Sequence, residues 1–135
     1  VPVGQWELGN PVNIGFNRHV AWSHTRAVPL TPSPIILGEE LYMVSDNGIG
    51  TCLDAKTGEQ VYQQRLGGNF SASPVYANGH IYLSDEDGKT SVVRPGRTFE
   101  VVSTNELQEG CLASPAVSGK SLIMRTRRHL YRIGR

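Results

Sequence analysis

The chain has 135 residues, 39% of them hydrophobic and 19% charged, with 15 Gly, 8 Pro and a formal net charge of +1. Gly and Pro stay below the roughly 25–30% at which low-complexity disorder becomes the default, and the near-zero charge supplies no long-range field to draw in nucleic acid or anionic lipid. No stretch approaches the roughly 18 consecutive apolar residues of a membrane-spanning helix, so the composition predicts a globular chain with room for a core.

Val1 to Asn17, with Gly4, Gly9, Pro11 and Gly15, reads as an irregular N-terminal segment (residues 1–17). Val1 has no basic start, apolar run or cleavage site behind it, so a targeting peptide is expected to be already removed or never present. In residues 18–32, Val20-Ala21-Trp22-Ser23 is predicted as an outer strand, followed by a connector.

From residue 33 the chain repeats. Ser-Pro occurs at Ser33-Pro34, Ser73-Pro74 and Ser114-Pro115, with spacings of 40 and 41 residues. Each is followed by a short apolar piece, a turn glycine (Gly38, Gly79, Gly119) and a second strand: Leu41–Val44, Ile81–Leu83 or Leu122–Met124. A turn over Ser45–Gly48 or Asp85–Gly88 leads to a third strand at Thr51–Asp54 or Ser91–Val93, matched in the last copy by His129–Ile133. Asn-Gly and Asp-Gly are strong hairpin signals because they tolerate positive φ. In the first copy Asp54-Ala55-Lys56-Thr57-Gly58 forms a turn in which the carboxylate can accept from the Thr hydroxyl and nearby amides. The fourth strand is then Glu59–Gln64, matched in the second copy by Thr98–Val102, and Trp22 lies 40 residues before Tyr62.

Four short antiparallel strands per unit of about 40 residues is the pattern of a β-propeller blade. The fold expected is all-β, with about three blades' worth of strands: residues 33–72, residues 73–113, and residues 114–135 as a last blade lacking its outer strand. The shared period favours this over a β-sandwich. Proline at the start of an innermost strand removes only an amide the ladder does not yet use. Tyr62 and Trp22, on outermost strands, are placed to cover the seams between blades.

These residues resemble the pyrroloquinoline-quinone-type (quinoprotein-like) β-propeller repeat family. The resemblance rests on Leu53-Asp54-Ala55-Lys56-Thr57-Gly58 with Tyr62 four residues on, and on the recurrent Ser-Pro openings. It covers roughly Val20 to Gly134 and is specific for fold. The family usually has Trp where this chain has Tyr62, and the second copy has Arg94-Pro95-Gly96 in place of the Asp-x-x-Thr-Gly turn, so the interlocking pattern is degraded. The family includes quinone-dependent alcohol and sugar dehydrogenases and the lipoprotein of the outer-membrane barrel assembly machinery. The run from Tyr42 to Asp87 looks most like its uncharacterised secreted bacterial members. The resemblance implies an extracytoplasmic setting, periplasmic or secreted, but a shared fold does not transmit an activity.

No catalytic, cofactor-binding or metal-ligating residue is assigned from the sequence, and no cofactor is expected. Asp85, Glu86 and Asp87 form an acidic cluster without the further ligands of an EF-hand loop and read as a solvated turn. His19, His24, His80 and His129 show no zinc-site spacing and read as exposed or partly packed. Cys52 and Cys111 read as small core residues. Arg125, Arg127, Arg128, Arg132 and Arg135 crowd the last eleven residues; Arg127-Arg128 falls where the other copies turn and reads as a solvated turn, with an acidic partner as the alternative. Neither an extended basic face nor stacking aromatics supports nucleic-acid binding.

The function expected is a non-catalytic scaffold or interaction module that uses its loops or channel mouth to hold a protein or small molecule. The alternative is a piece of a quinone-dependent dehydrogenase whose active site lies outside these residues. Three blades are too few to close a ring. The expected partners are therefore further blades of a longer propeller, or a second copy whose Trp22 strand completes the last blade.

Overall fold

The computed structural model describes residues 20–134; the irregular segment expected over residues 1–17, His19 and Arg135 lie outside the described residues. Eleven strands form three antiparallel sheets, and no helix occurs among the described residues. The first sheet contains β1 (Ile35–Leu37), β2 (Glu40–Val44), β3 (Ile49–Asp54) and β4 (Gln60–Arg65), in that spatial order. The second repeats it with β5 (Val75–Ala77), β6 (His80–Ser84), β7 (Lys89–Val93) and β8 (Val101–Glu106). The third has β9 (Ala116–Ser118), β10 (Ser121–Arg125) and β11 (Leu130–Ile133), with β11 at its outer edge.

Local chemistry sets the turns. Each Ser-Pro ends one residue before the first strand of its sheet. The first hairpins have two-residue loops, and Asn78 and Gly79 both take positive φ (50° and 76°), the geometry that matches strand twist. At the next turn a side-chain oxygen replaces a backbone partner: Ser45 Oγ accepts from Ile49 N–H (3.0 Å), Asp85 Oδ1 from Lys89 N–H (2.9 Å), and Thr126 Oγ1 from His129 N–H (3.2 Å). The third of these turns is one residue shorter and has no glycine. Gly48 and Gly88 in the longer ones sit at φ 84° and 94° under the following loop, where a Cβ would stand 2.5 Å from Gly67 O or 2.1 Å from Glu109 O.

Strand alternation gives each sheet two faces. Tyr42, Val44 and Cys52 of the first sheet pack with Ile81, Leu83 and Val93 of the second, with Phe70 beside them, and this is the larger core. Leu122 and Met124 of the third sheet pack with Ala77 and Cys111, with Tyr82 against them. The sheets are also stitched at their inner ends. Ser33 N–H donates to Ser73 Oγ and Ser73 N–H donates to Ser114 Oγ, both at 2.8 Å.

Three expectations change. Val20–Ser23 forms no strand: no sheet among the described residues offers it a ladder, and Trp22 is held by its side chain instead, Nε1–H donating to Ala55 O at 3.0 Å. The fourth strand of the second sheet is Val101–Glu106 rather than Thr98–Val102, and the loop around Pro95 closes one residue later than its counterpart (Arg94 N–H to Glu100 O, against Asp54 N–H to Glu59 O). Ser103, opposite Val92, therefore holds the place that Tyr62 holds opposite Cys52. Third, Asp85 is buried at 6% exposure rather than solvated, since its carboxylate is folded inward over its own turn.

Candidate functional site

The surfaces able to meet a ligand are the two seams between sheets, the turns at their ends and the inner strands. The first seam is closed. Tyr62 and Phe99 meet edge to face with ring centroids 5.6 Å apart, a geometry favoured by the ring quadrupoles. Beside them Gly96 N–H donates to Tyr42 Oη (2.7 Å), and the Tyr42 hydroxyl returns a bond to Gly96 O (3.3 Å). The Arg94-Pro95-Gly96 turn, which lacks the Asp-x-x-Thr-Gly pattern, thus supplies a different lock between sheets. Burial raises the pKa of both tyrosines above the ordinary 10.0. In the other turn Asp54 Oδ1 accepts from Lys56 and Thr57 amides (3.0 and 2.9 Å), and these bonds, Thr57's first, hold the carboxyl below its usual range. The Trp22 ring lies so close over Gly58 that a Cβ there would stand 2.6 Å from it.

The second seam is open. A cleft of about 590 Å³ lies between β8 and the third sheet, walled by Tyr82, Val92, Leu122, Met124 and Ile133. It exists because Ser103 replaces a ring on one side and the third sheet has no fourth strand among the described residues on the other. Asn78, His80 and Lys120 mark its polar rim. His80 Nδ1 contacts Asn78 O at 3.0 Å, and Asn78 Nδ2 donates to Lys120 O at 3.2 Å.

At the turn end of this seam the acidic and basic clusters meet. Glu86, Asp87, Arg125 and Arg127 border a smaller cleft of about 350 Å³ floored by Cys111. Glu86 accepts from Ser71 Oγ (2.5 Å). Arg127 and Arg128 form the β10–β11 turn, as their position in the repeat predicts, and Arg125 Nη1 donates to Thr126 O within it. Glu109, which sequence reasoning passed over, organises this turn. Its carboxylate accepts from Thr126 Oγ1 (2.7 Å) and Arg128 N–H (3.0 Å) and contacts His129 Nδ1 (2.6 Å). These bonds, the Thr126 hydroxyl's first, hold Glu109 below the ordinary carboxyl range. No periodic partner marks Glu109 in the sequence.

The cysteines are core residues as expected, Cys52 at 0% and Cys111 at 1% exposure. Burial raises both thiols, Cys52 to about 11, so neither is a ready nucleophile at neutral pH. Among the described residues no group of three or more His, Cys, Asp or Glu side chains is placed to hold a metal ion. No helix among them is long and apolar enough to cross a membrane. On the inner strands, Ile36, Tyr76 and Val117 occupy the middle of β1, β5 and β9 and are all exposed, at 59%, 44% and 44%.

Antiparallel sheets stacked face to face with a first-strand-innermost repeat define a β-propeller built from PQQ-type repeats. A sequence profile described as outer membrane protein assembly factor BamB matches residues 16–99, and the chain belongs to that family. No curated protein sequence matches it. Among solved structures it is similar to BamB from Moraxella catarrhalis, with 16% identity, a TM-score of 0.58 and coverage of 70% of this chain and 28% of that one. It is also similar to quinohemoprotein alcohol dehydrogenase from Comamonas testosteroni (13% identity, TM-score 0.59, 73% of this chain and 17% of that one). A europium-containing methanol dehydrogenase matches with 20% identity and a TM-score of 0.63 over 89% of this chain and 24% of that one. The chain spans less than a third of each of these structures, and at such identities the likeness shows the fold.

Proposed function

We propose that this chain is a non-catalytic propeller scaffold that holds a partner at its open seam, its turns or its inner strands, in an extracytoplasmic setting, periplasmic or secreted. One observation carries the reading. The side chains with chemical potential are engaged in holding turns and sheets together: Asp85 caps its own turn, Glu109 ties the β10–β11 turn, and the Ser-Pro serines bridge one sheet to the next. The family match to an outer membrane protein assembly factor supports both the scaffold role and the setting. The missing fourth strand of the third sheet fits a unit completed by further blades of a longer propeller or by a second copy.

The competing reading, a portion of a quinone-dependent dehydrogenase, is favoured by the fold shared with two dehydrogenases. Absorption titration of the folded chain with pyrroloquinoline quinone and calcium separates the two. The scaffold reading predicts no saturable binding; saturable binding with reduction of an electron-accepting dye on addition of an alcohol overturns it.

A further inference from the structure

Asn-Gly occurs twice in the chain, at Asn47-Gly48 and Asn78-Gly79, and both pairs fall in hairpin turns. The first hairpins of the three sheets have the loops Gly38-Glu39, Asn78-Gly79 and Gly119-Lys120. Their leading residues take φ 62°, 50° and 58°. The second sheet thus places an L side chain in a left-handed position that its siblings give to glycine. That side chain crosses to the third sheet, where Asn78 Nδ2 donates to Lys120 O at 3.2 Å.

An asparagine amide followed by glycine is open to attack by the glycine's own backbone nitrogen, because no Cβ obstructs the approach. The glycine N–H gives its proton to a solvent base, the nitrogen bonds to the asparagine Cγ, and the Cγ–Nδ2 bond breaks with release of ammonia. Water then opens the five-membered imide at one carbonyl or the other, leaving aspartate or isoaspartate; nothing is oxidised or reduced. The step needs a free glycine amide and a turn with room to yield.

The two pairs differ in both respects. Gly48 N–H donates to Ser45 O at 2.9 Å, and Gly48 O accepts from the amides of Leu66 (2.7 Å) and Gly67 (3.2 Å). Asn47 Oδ1 is held as well, accepting from Ser45 Oγ at 2.5 Å. At the other pair the ladder closes between Ala77 and His80, so the Gly79 amide stands outside it and finds no acceptor among the described residues. Asn78 is exposed, and a Cβ at Gly79 would meet nothing within 4 Å.

We propose that Asn78 is a modification site, deamidated in the folded protein by attack of Gly79 N, while Asn47 is protected by its turn. Either product replaces the donor to Lys120 O with a carboxylate, and isoaspartate also lengthens the backbone of a two-residue turn. The change therefore severs a tie between the second and third sheets. It is independent of the scaffold reading.

The test incubates the folded full chain in mildly alkaline buffer, digests it with trypsin and follows the peptides by fragmentation mass spectrometry, with isoaspartate detected by enzymatic methyl transfer. Asn47 and Asn78 fall in different tryptic peptides, residues 27–56 and 66–89. Conversion at Asn78 is expected to run about tenfold or more faster than at Asn47, since freeing the Gly48 amide costs its own hydrogen bond and those of the loop above it. In urea, where neither turn persists, the two rates should converge. Gly79→Ala should slow conversion at Asn78. Equal rates in the folded chain, faster change at Asn47, or no product at Asn78 while the urea sample forms it overturns the proposal. So does a difference that persists in urea, or an unchanged rate in Gly79→Ala.

Discussion

The amide of Ser33 donates to Ser73 Oγ at 2.8 Å, and Ser73 repeats the act toward Ser114 at the same distance. Ser73 thus accepts from the preceding copy and donates to the next. Proline after it fixes the direction in which the first strand leaves. A repeat visible in the sequence as a spacing is, in three dimensions, a hydrogen-bonded chain across the seams.

Removing one link should cost little but measurably. Ser73→Ala and Ser114→Ala each leave one amide without its partner, and each is expected to lower stability by about 1 kcal/mol. Urea denaturation followed by circular dichroism checks this. Equal effects are expected because the two bonds share one geometry.

The Trp22 contact can be separated from backbone strain. Gly58 and Gly79 both have φ +76°, but a Cβ at Gly79 meets nothing within 4 Å, while one at Gly58 strikes the Trp22 ring. Gly79→Ala is expected to cost about 1 kcal/mol from the left-handed conformation alone. Gly58→Ala should cost about 1–3 kcal/mol more from the clash. In a nuclear magnetic resonance spectrum it should shift the Trp22 indole N–H, which Gly79→Ala should leave in place.

The two seams predict opposite responses to exchanging their side chains. Tyr62→Ser opens the closed seam and is expected to destabilise by about 2–3 kcal/mol. Ser103→Tyr places a ring in the open cleft and should stabilise by about 0.5–2 kcal/mol. Thermal melts of the two variants beside the parent chain measure both.

Much of this was legible in the sequence, for a physical reason. Turn chemistry and strand alternation are local, so Ser-Pro, Asn-Gly and the Asp54–Gly58 turn announced the sheets before any contact was known. What was not legible depends on register. A single extra residue in the loop after Arg94 moves the register of β8 by one position and puts Ser103, not Val102, opposite Val92. The side chain facing the open cleft at this position follows from that shift. Glu109 was hidden for a related reason: its partners Thr126, Arg128 and His129 lie 17 to 20 residues away, across a seam.

Titration should report on two of these sites. The Cys52 thiol has an ordinary value of 9.0 and is raised to about 11 by burial. A raised folded value gives stability that is complete below pH 9 and is lost as pH rises toward 11. Tyr42 and Tyr62 add to the alkaline loss at higher pH. Cys52→Ala should therefore flatten the decline between pH 9 and 11 in urea denaturation. Glu109 behaves in the opposite sense. Held below its ordinary 4.5, it contributes stability above that pH that is lost on acidification through its folded value. Glu109→Gln should show a shallower acid loss, the remainder coming from Asp46 and Asp54, which are also held low by backbone amides.

The central claim is that the three sheets are stacked as propeller blades and tied at their seams through the repeating serines. Amide hydrogen exchange on the Ser73→Ala variant tests it most directly. The account predicts that Ser33 and residue 73 are both protected in the parent chain. In the variant the Ser33 amide should lose its protection, while the amide at 73 keeps its own through Ser114 Oγ. Free exchange at both positions in the parent chain, or unchanged protection of Ser33 in the variant, would contradict it.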